Sequence, residues 1–210
     1  MLTHNIADMT AKIDAHRAAD LLVQGQYFND DTGKGCFIGC LAHKNDATVL
    51  ADEYGIPAEL TRVLEGIFEA LPKTEAADFF SAIPRAIGFD KKDLSLVVWQ
   101  FLAEELRALP KQPDNIQAVI DHVIAGMDLK ASGQAWPRAD AYAACAAADV
   151  AYAAARAAYA AADTATYAVR ADVAARAAAR AAYAAAATPA ARMRQSDTIL
   201  KIIAAAPVIA

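Results

Sequence analysis

Residues 141–187 read AYAACAAADVAYAAARAAYAAADTATYAVRADVAARAAARAAYAAAA, with 29 alanines in 47 positions. The other residues are ordered. Tyr142, Cys145, Asp149, Tyr152, Arg156, Tyr159, Asp163, Thr166 and Arg170 follow one another at steps of three and four, the spacing of one stripe along an α-helix. Nearly everything off the stripe is alanine, the strongest helix former, whose small side chain lets helices approach closely. The stretch does not read as a membrane span. Asp149, Arg156, Asp163 and Arg170 recur along it, and each charge would cost ~2.5–3.5 kcal/mol at a bilayer centre. Asp163 or Thr164 caps a break at which the stripe changes phase, so two packed helices are expected rather than one rod of about 75 Å. Thr188-Pro189 reads as the cap and first position of a last helix carrying Met193, Ile199, Leu200, Ile202 and Ile203.

Working back toward the N-terminus, the apolar pattern stays helical. Ile6, Met9, Ile13 and His16 mark one face of a helix expected to run to about Gln24 and end at Gly25. Asn45 or Asp46 caps a short helix closed by Gly55, and Pro57 opens the next. In that helix Leu60, Val63, Leu64, Ile67, Phe68 and Leu71 face inward, while Glu59, Glu65 and Glu69 are expected to point out. Thr74 is expected to cap a helix that buries Phe79, Phe80 and Ile83 and stops at Pro84. Asp93 and Asp114 open two more. No segment sustains period-two alternation, so no extended sheet is expected. The predicted fold is all-α: a multi-helix N-terminal bundle, then a closely packed alanine-rich helical hairpin, then a short C-terminal helix.

Composition places a boundary at the Gly/Ser-containing break before Pro137. Residues 1–135 form an acidic helical region of net charge −8, and residues 136–210 an alanine-rich region of net charge +3, with seven of its eight cations arginine. The two halves either complement each other or present a basic face to an acidic partner. Nucleic acid is not an expected partner, because the chain is acidic overall and has no dense basic run. Three cysteines make no paired framework and no secretory leader pattern opens the sequence, so a reducing cytoplasm is expected. There is no G-x-S-x-G, H-E-x-x-H or dinucleotide glycine fingerprint.

One segment carries chemistry: Gly33-Lys34-Gly35-Cys36-Phe37-Ile38-Gly39-Cys40-Leu41-Ala42-His43. From Cys36 onward it reads as a helix, or as the second arm of a hairpin begun at Tyr27-Phe28; the helix is favoured. On a helix Cys36, Cys40 and His43 fall at i, i+4 and i+7, on one face, and thiolate with imidazole suits zinc or another soft divalent metal. The competing reading is close packing by small residues, since free cysteine is among the most buried types. The entrance at Gly33, Lys34, Gly35 and Cys36 groups N–H donors, a helix start and a cation. That combination attracts an anionic ligand and would lower the Cys36 pKa. In the tail, Tyr152, Arg156 and Tyr159 are either a solvated edge or an interaction surface, Tyr and Arg being enriched in hot spots.

The stretches GCFIGCLAHK (Gly35–Lys44) and EYGIPAELTRVLEGIFEALP (Glu53–Pro72) resemble a group of bacterial alanine-rich proteins sharing a GCxxGCxxH stretch and a YGIP helix start. The tail from Ala141 to Pro207, with its terminal QSDTILK, is similar to alanine-rich helical immunity-protein domains of the Imm5-like type. The resemblance brings no established activity. The function expected is that of a non-enzymatic helical binding protein whose partner is a protein, with no cofactor and no membrane; the resemblance adds a bacterial or phage defence, immunity or inhibition setting. The alternative is a small-ligand (anion or nucleotide) or metal-binding protein, or a thiol- or metal-dependent enzyme, built on Lys34, Cys36, Cys40 and His43.

Overall fold

The computed structural model of the protein describes residues 2–44, 46–109, 111–112, 114–141, 143 and 189–209. The expected alanine-rich hairpin, including Tyr152, Arg156 and Tyr159, lies outside the described residues. What is described is all-α apart from one two-stranded hairpin. Among the described residues no helix is long and apolar enough to cross a membrane.

The first helix, α1 (Ile6–Ala18), buries Ile6, Met9 and Ile13. It stops well before Gln24. Asp20 takes a left-handed conformation (φ 52°), and the chain then straightens so that the Val23 N–H donates to the Gly35 carbonyl and the Gly35 N–H to the Leu21 carbonyl. Leu22 is buried by this pairing, and that burial, which a longer helix would forgo, ends α1. Strands β1 (Phe28–Asn29) and β2 (Lys34–Gly35) pair antiparallel around the Asn29–Gly33 turn. Helix α2 (Phe37–Ala42) follows at once. The favoured helix reading of the Cys36 segment therefore holds; a hairpin does form next to Tyr27-Phe28, but its second arm is Lys34–Gly35 and not the segment from Cys36 to His43.

Helix α3 (Ala47–Tyr54) is capped by Asp46, whose carboxylate accepts the Thr48 N–H, and closed by left-handed Gly55. Helix α4 (Ala58–Ala70) follows Pro57. Helix α5 (Lys73–Ile87) corrects two expectations. Pro72, not Thr74, precedes it, and it runs through Pro84 to Ile87. Pro84 removes one backbone donor, but Ile83, Pro84 and Ile87 are all buried there, and that burial offsets the loss. Beyond it the Asp93 carboxylate accepts the Ser95 N–H, and α6 (Val97–Arg107) begins after this turn.

Packing divides the chain into two compact units, residues 1–101 with 189–210, and residues 102–188. The compositional boundary at 135/136 marks where alanine takes over; it is not where this division falls. In the first unit the rings of Phe37 and Phe68 both pack on Phe80, at 5.3 and 6.0 Å, and Met9, Ile13, Leu50, Tyr54 and Leu64 are fully buried in the same unit. The C-terminal helix α8 (Pro189–Ala205) packs on α5 and α4 through Ile199 and Ile203, both wholly buried.

Backbone pairing joins the segments next to these helices. The Thr3 N–H donates to the Lys92 carbonyl at 2.9 Å, and the Ile209 N–H to the Lys91 carbonyl at 3.0 Å. The Lys92 ammonium, buried, donates to the Ala86 carbonyl at 3.2 Å and to the Ala204 carbonyl at 2.7 Å. One cation thus caps the C-terminal ends of α5 and α8 together, where the helix dipoles favour positive charge. In the second unit, α7 (Asp114–Ala131) carries Asp128, which receives a two-pronged bond from Arg107. Trp136 lies so close over Gly126 that a Cβ there would overlap the indole ring.

Candidate functional site

The Gly-Cys-x-x-Gly-Cys stretch is explained first by packing. A Cβ at Gly39 would overlap the Tyr27 carbonyl, and one at Gly35 would press on the same atom and on Phe28. The hairpin backbone therefore lies directly on α2. The Cys36 N–H donates to the Gln26 carbonyl at 2.8 Å and to the Tyr27 carbonyl at 3.1 Å, sealing that approach.

This arrangement sends Cys36, Cys40 and His43 in different directions. Cys36 is the N-cap of α2 with extended backbone, and His43 is the C-cap with left-handed backbone (φ 53°). Neither has helical geometry, so the i, i+4, i+7 alignment is not realised. The Cys36 thiol points to α4 and donates to Glu65 Oε1 at 3.3 Å. The Cys40 thiol donates back to the Gly35 carbonyl at 3.2 Å. The His43 ring stacks on Phe28 at 4.5 Å and meets the edge of His16 at 6.1 Å. Among the described residues no three Cys, His, Asp or Glu side chains are grouped to hold a metal.

The entrance also differs from expectation. The Gly33, Gly35 and Cys36 N–H groups donate to the carbonyls of Asn29, Leu21 and Gln26, and the Lys34 N–H to Thr32 Oγ1. An anion would have to compete with all of these. The expected low thiol pKa is reversed. Burial pushes Cys36 up to about 11, with the Glu65 carboxylate adding to the shift, and burial beside Cys36 pushes Cys40 up to about 12. Both are protonated at neutral pH and poor nucleophiles.

What the Cys36 segment does build is one wall of a cleft of ≈ 380 Å³, with α4 as the other wall. Tyr27, Cys36, Arg62, Glu65 and Glu69 supply its functional groups. Glu65 does not point out as expected. It is only 8% exposed, because Thr61, Leu64 and Phe68 flank it on the side of α4 that the Cys36 segment covers. Its Oε1 takes the Cys36 thiol, while the nearest cation to Oε2 is Arg62 Nη1, at 3.9 Å. Glu69, one turn on, accepts the Gly25 N–H at 2.7 Å. Burial raises its carboxyl above the usual range, and the neighbouring Glu65 charge adds to this. Tyr27 is 47% exposed at the rim.

Glu65 and Glu69 went unseen in the sequence because glutamate on an amphipathic helix defaults to the solvent side. The available signal was the helical wheel: Glu65 falls four residues after Thr61 and three before Phe68, at the edge of the apolar stripe.

No family model matches the chain, and no curated protein or solved structure matches it either.

Proposed function

We propose that this chain is a non-enzymatic binding protein that docks a protein partner at the cleft between the Cys36 segment and α4. The observation that carries this reading is the make-up of the cleft. An exposed tyrosine and a half-exposed arginine, Tyr27 and Arg62, flank a recess whose wall holds a buried carboxylate, Glu65. Tyr and Arg are the residue types that dominate binding energy at protein interfaces, and they act best around a desolvated anchor pocket. Two thiols held protonated support binding over thiol chemistry at this place. The defence or immunity setting comes from the resemblance of the alanine-rich tail and forms the biological part of the proposal.

The test is a photo-crosslinking residue placed at Tyr27 in the full chain, in cells of its source, with the same residue at exposed Asp14 of α1 as control. Crosslinking to one discrete protein from position 27 and not from position 14 is the expected result. Equal, diffuse crosslinking from both positions would overturn the reading.

A further inference from the structure

Glu65 stands out electrostatically within the first unit. A carboxylate 8% exposed has lost most of its hydration, and a buried charge needs hydrogen bonds and a counter-charge to be tolerated. Here Oε1 has a thiol donor, a weak one. Oε2 accepts no hydrogen bond among the described residues, and Arg62 at 3.9 Å is beyond hydrogen-bond reach, with its own side chain 56% exposed. Oε2 borders the cleft. Glu69 faces the same space with a carboxyl whose ionised form is disfavoured by burial and by Glu65. Two carboxylates and one guanidinium leave the cleft one positive charge short. The void, ≈ 380 Å³, is large enough for one extended side chain. Two carboxylates disfavour an anion there, and among the described residues no three Cys, His, Asp or Glu side chains are grouped to hold a metal.

We infer that the cleft takes the terminal ammonium or guanidinium of a lysine or arginine side chain of the partner, which donates to Glu65 Oε2 while its aliphatic stem lies against Tyr27. This rests on the docking reading above and names the partner's anchor. On binding, the cation displaces Arg62 toward solvent and stands opposite the Glu69 carboxylate, whose ionised form it favours. Cys36 serves as a positioning residue: its thiol holds Oε1, so that Oε2 is turned to the void.

The test uses the full chain and the probes Nα-acetyl-lysinamide and Nα-acetyl-argininamide, with Nα-acetyl-norleucinamide as the uncharged control, followed by amide NMR shifts. At least one cationic probe is expected to bind saturably and to shift the amides of Gly25, Gly66 and Glu69, with the norleucine probe silent. Glu65→Gln, which keeps an acceptor for Cys36, should weaken binding more than about tenfold. Arg62→Met should strengthen it by removing the internal competitor. Should Glu65→Gln fail to fold, Glu69→Gln is expected to weaken the probe and Arg62→Met still to strengthen it.

Absence of saturable binding by either cation to both wild type and Arg62→Met would overturn the inference, as would equal binding of the norleucine probe. Butylammonium binding far more tightly than acetyl-lysinamide would make the occupant a free amine and overturn it too. The docking reading fails separately. If position 27 crosslinks a partner equally in wild type and Glu65→Gln, the anchor is wrong and the docking stands. If the probes bind but position 27 crosslinks nothing discrete, the docking is wrong.

Discussion

Gly39→Ala is predicted to destabilise the first unit by about 3 kcal/mol. Three effects set the magnitude. Alanine is the better helix residue, which alone would stabilise α2 by about 1 kcal/mol. Against that, the new methyl overlaps a backbone carbonyl, that of Tyr27, rather than the end of a flexible side chain, which places the overpacking near the top of its ~1–3 kcal/mol range. Relief requires the hairpin to lift off α2, and this breaks the bifurcated bond that the single Cys36 N–H makes to the Gln26 and Tyr27 carbonyls, at about 1 kcal/mol net. Gly66→Ala is the internal control. It too is a glycine in a helix, but a Cβ there meets nothing within 4 Å, so it should stabilise by about 0.5–1 kcal/mol. Urea unfolding followed by far-ultraviolet circular dichroism reads both variants. Equal midpoints for the two would refute the claim that the hairpin backbone lies on α2, and with it the geometry of the cleft.

Lys92→Met keeps the aliphatic stem but leaves the Ala86 and Ala204 carbonyls without their shared donor; a loss of about 2 kcal/mol is expected in urea unfolding, and an unchanged midpoint would refute the shared cap. On the alkaline side, the unfolded chain gives up its thiol protons near the ordinary value of 9.0, whereas Cys36 holds its proton to about 11. The folded state therefore binds more protons across that window, and stability should fall as pH rises through it; Cys36→Ala should flatten this slope in thermal melts. On the acid side, burial and the neighbouring His43 lower the His16 pKa below 6.5, and its Nδ1 is buried without a partner. The unfolded state then takes the proton first, so stability should decline as pH falls below 6.5, and His16→Gln should remove part of that decline.

Helix periodicity was legible wherever a stripe of large apolar residues met a cap, as at Asp46 with Gly55 and along Leu60, Leu64 and Phe68. It failed where a tertiary contact outweighed local preference. Leu22 pairs with the hairpin instead of extending α1, and Pro84 is carried inside α5 by the core around it. The cysteine segment shows the same limit. Its glycines announced close packing, but spacing alone could not show that Cys36 and His43 stand at the two ends of α2 with non-helical backbone. Local sequence places Glu65 only at the edge of the apolar stripe; its burial is completed by residues near position 36, far away along the chain.

The most direct measurement is a crystal structure of the chain soaked with Nα-acetyl-lysinamide. The account predicts the ammonium within hydrogen-bond distance of Glu65 Oε2, the Cys36 thiol still on Oε1, and the Arg62 guanidinium turned out to solvent. Arg62 occupying the cleft, with the probe bound elsewhere or not at all, would contradict it.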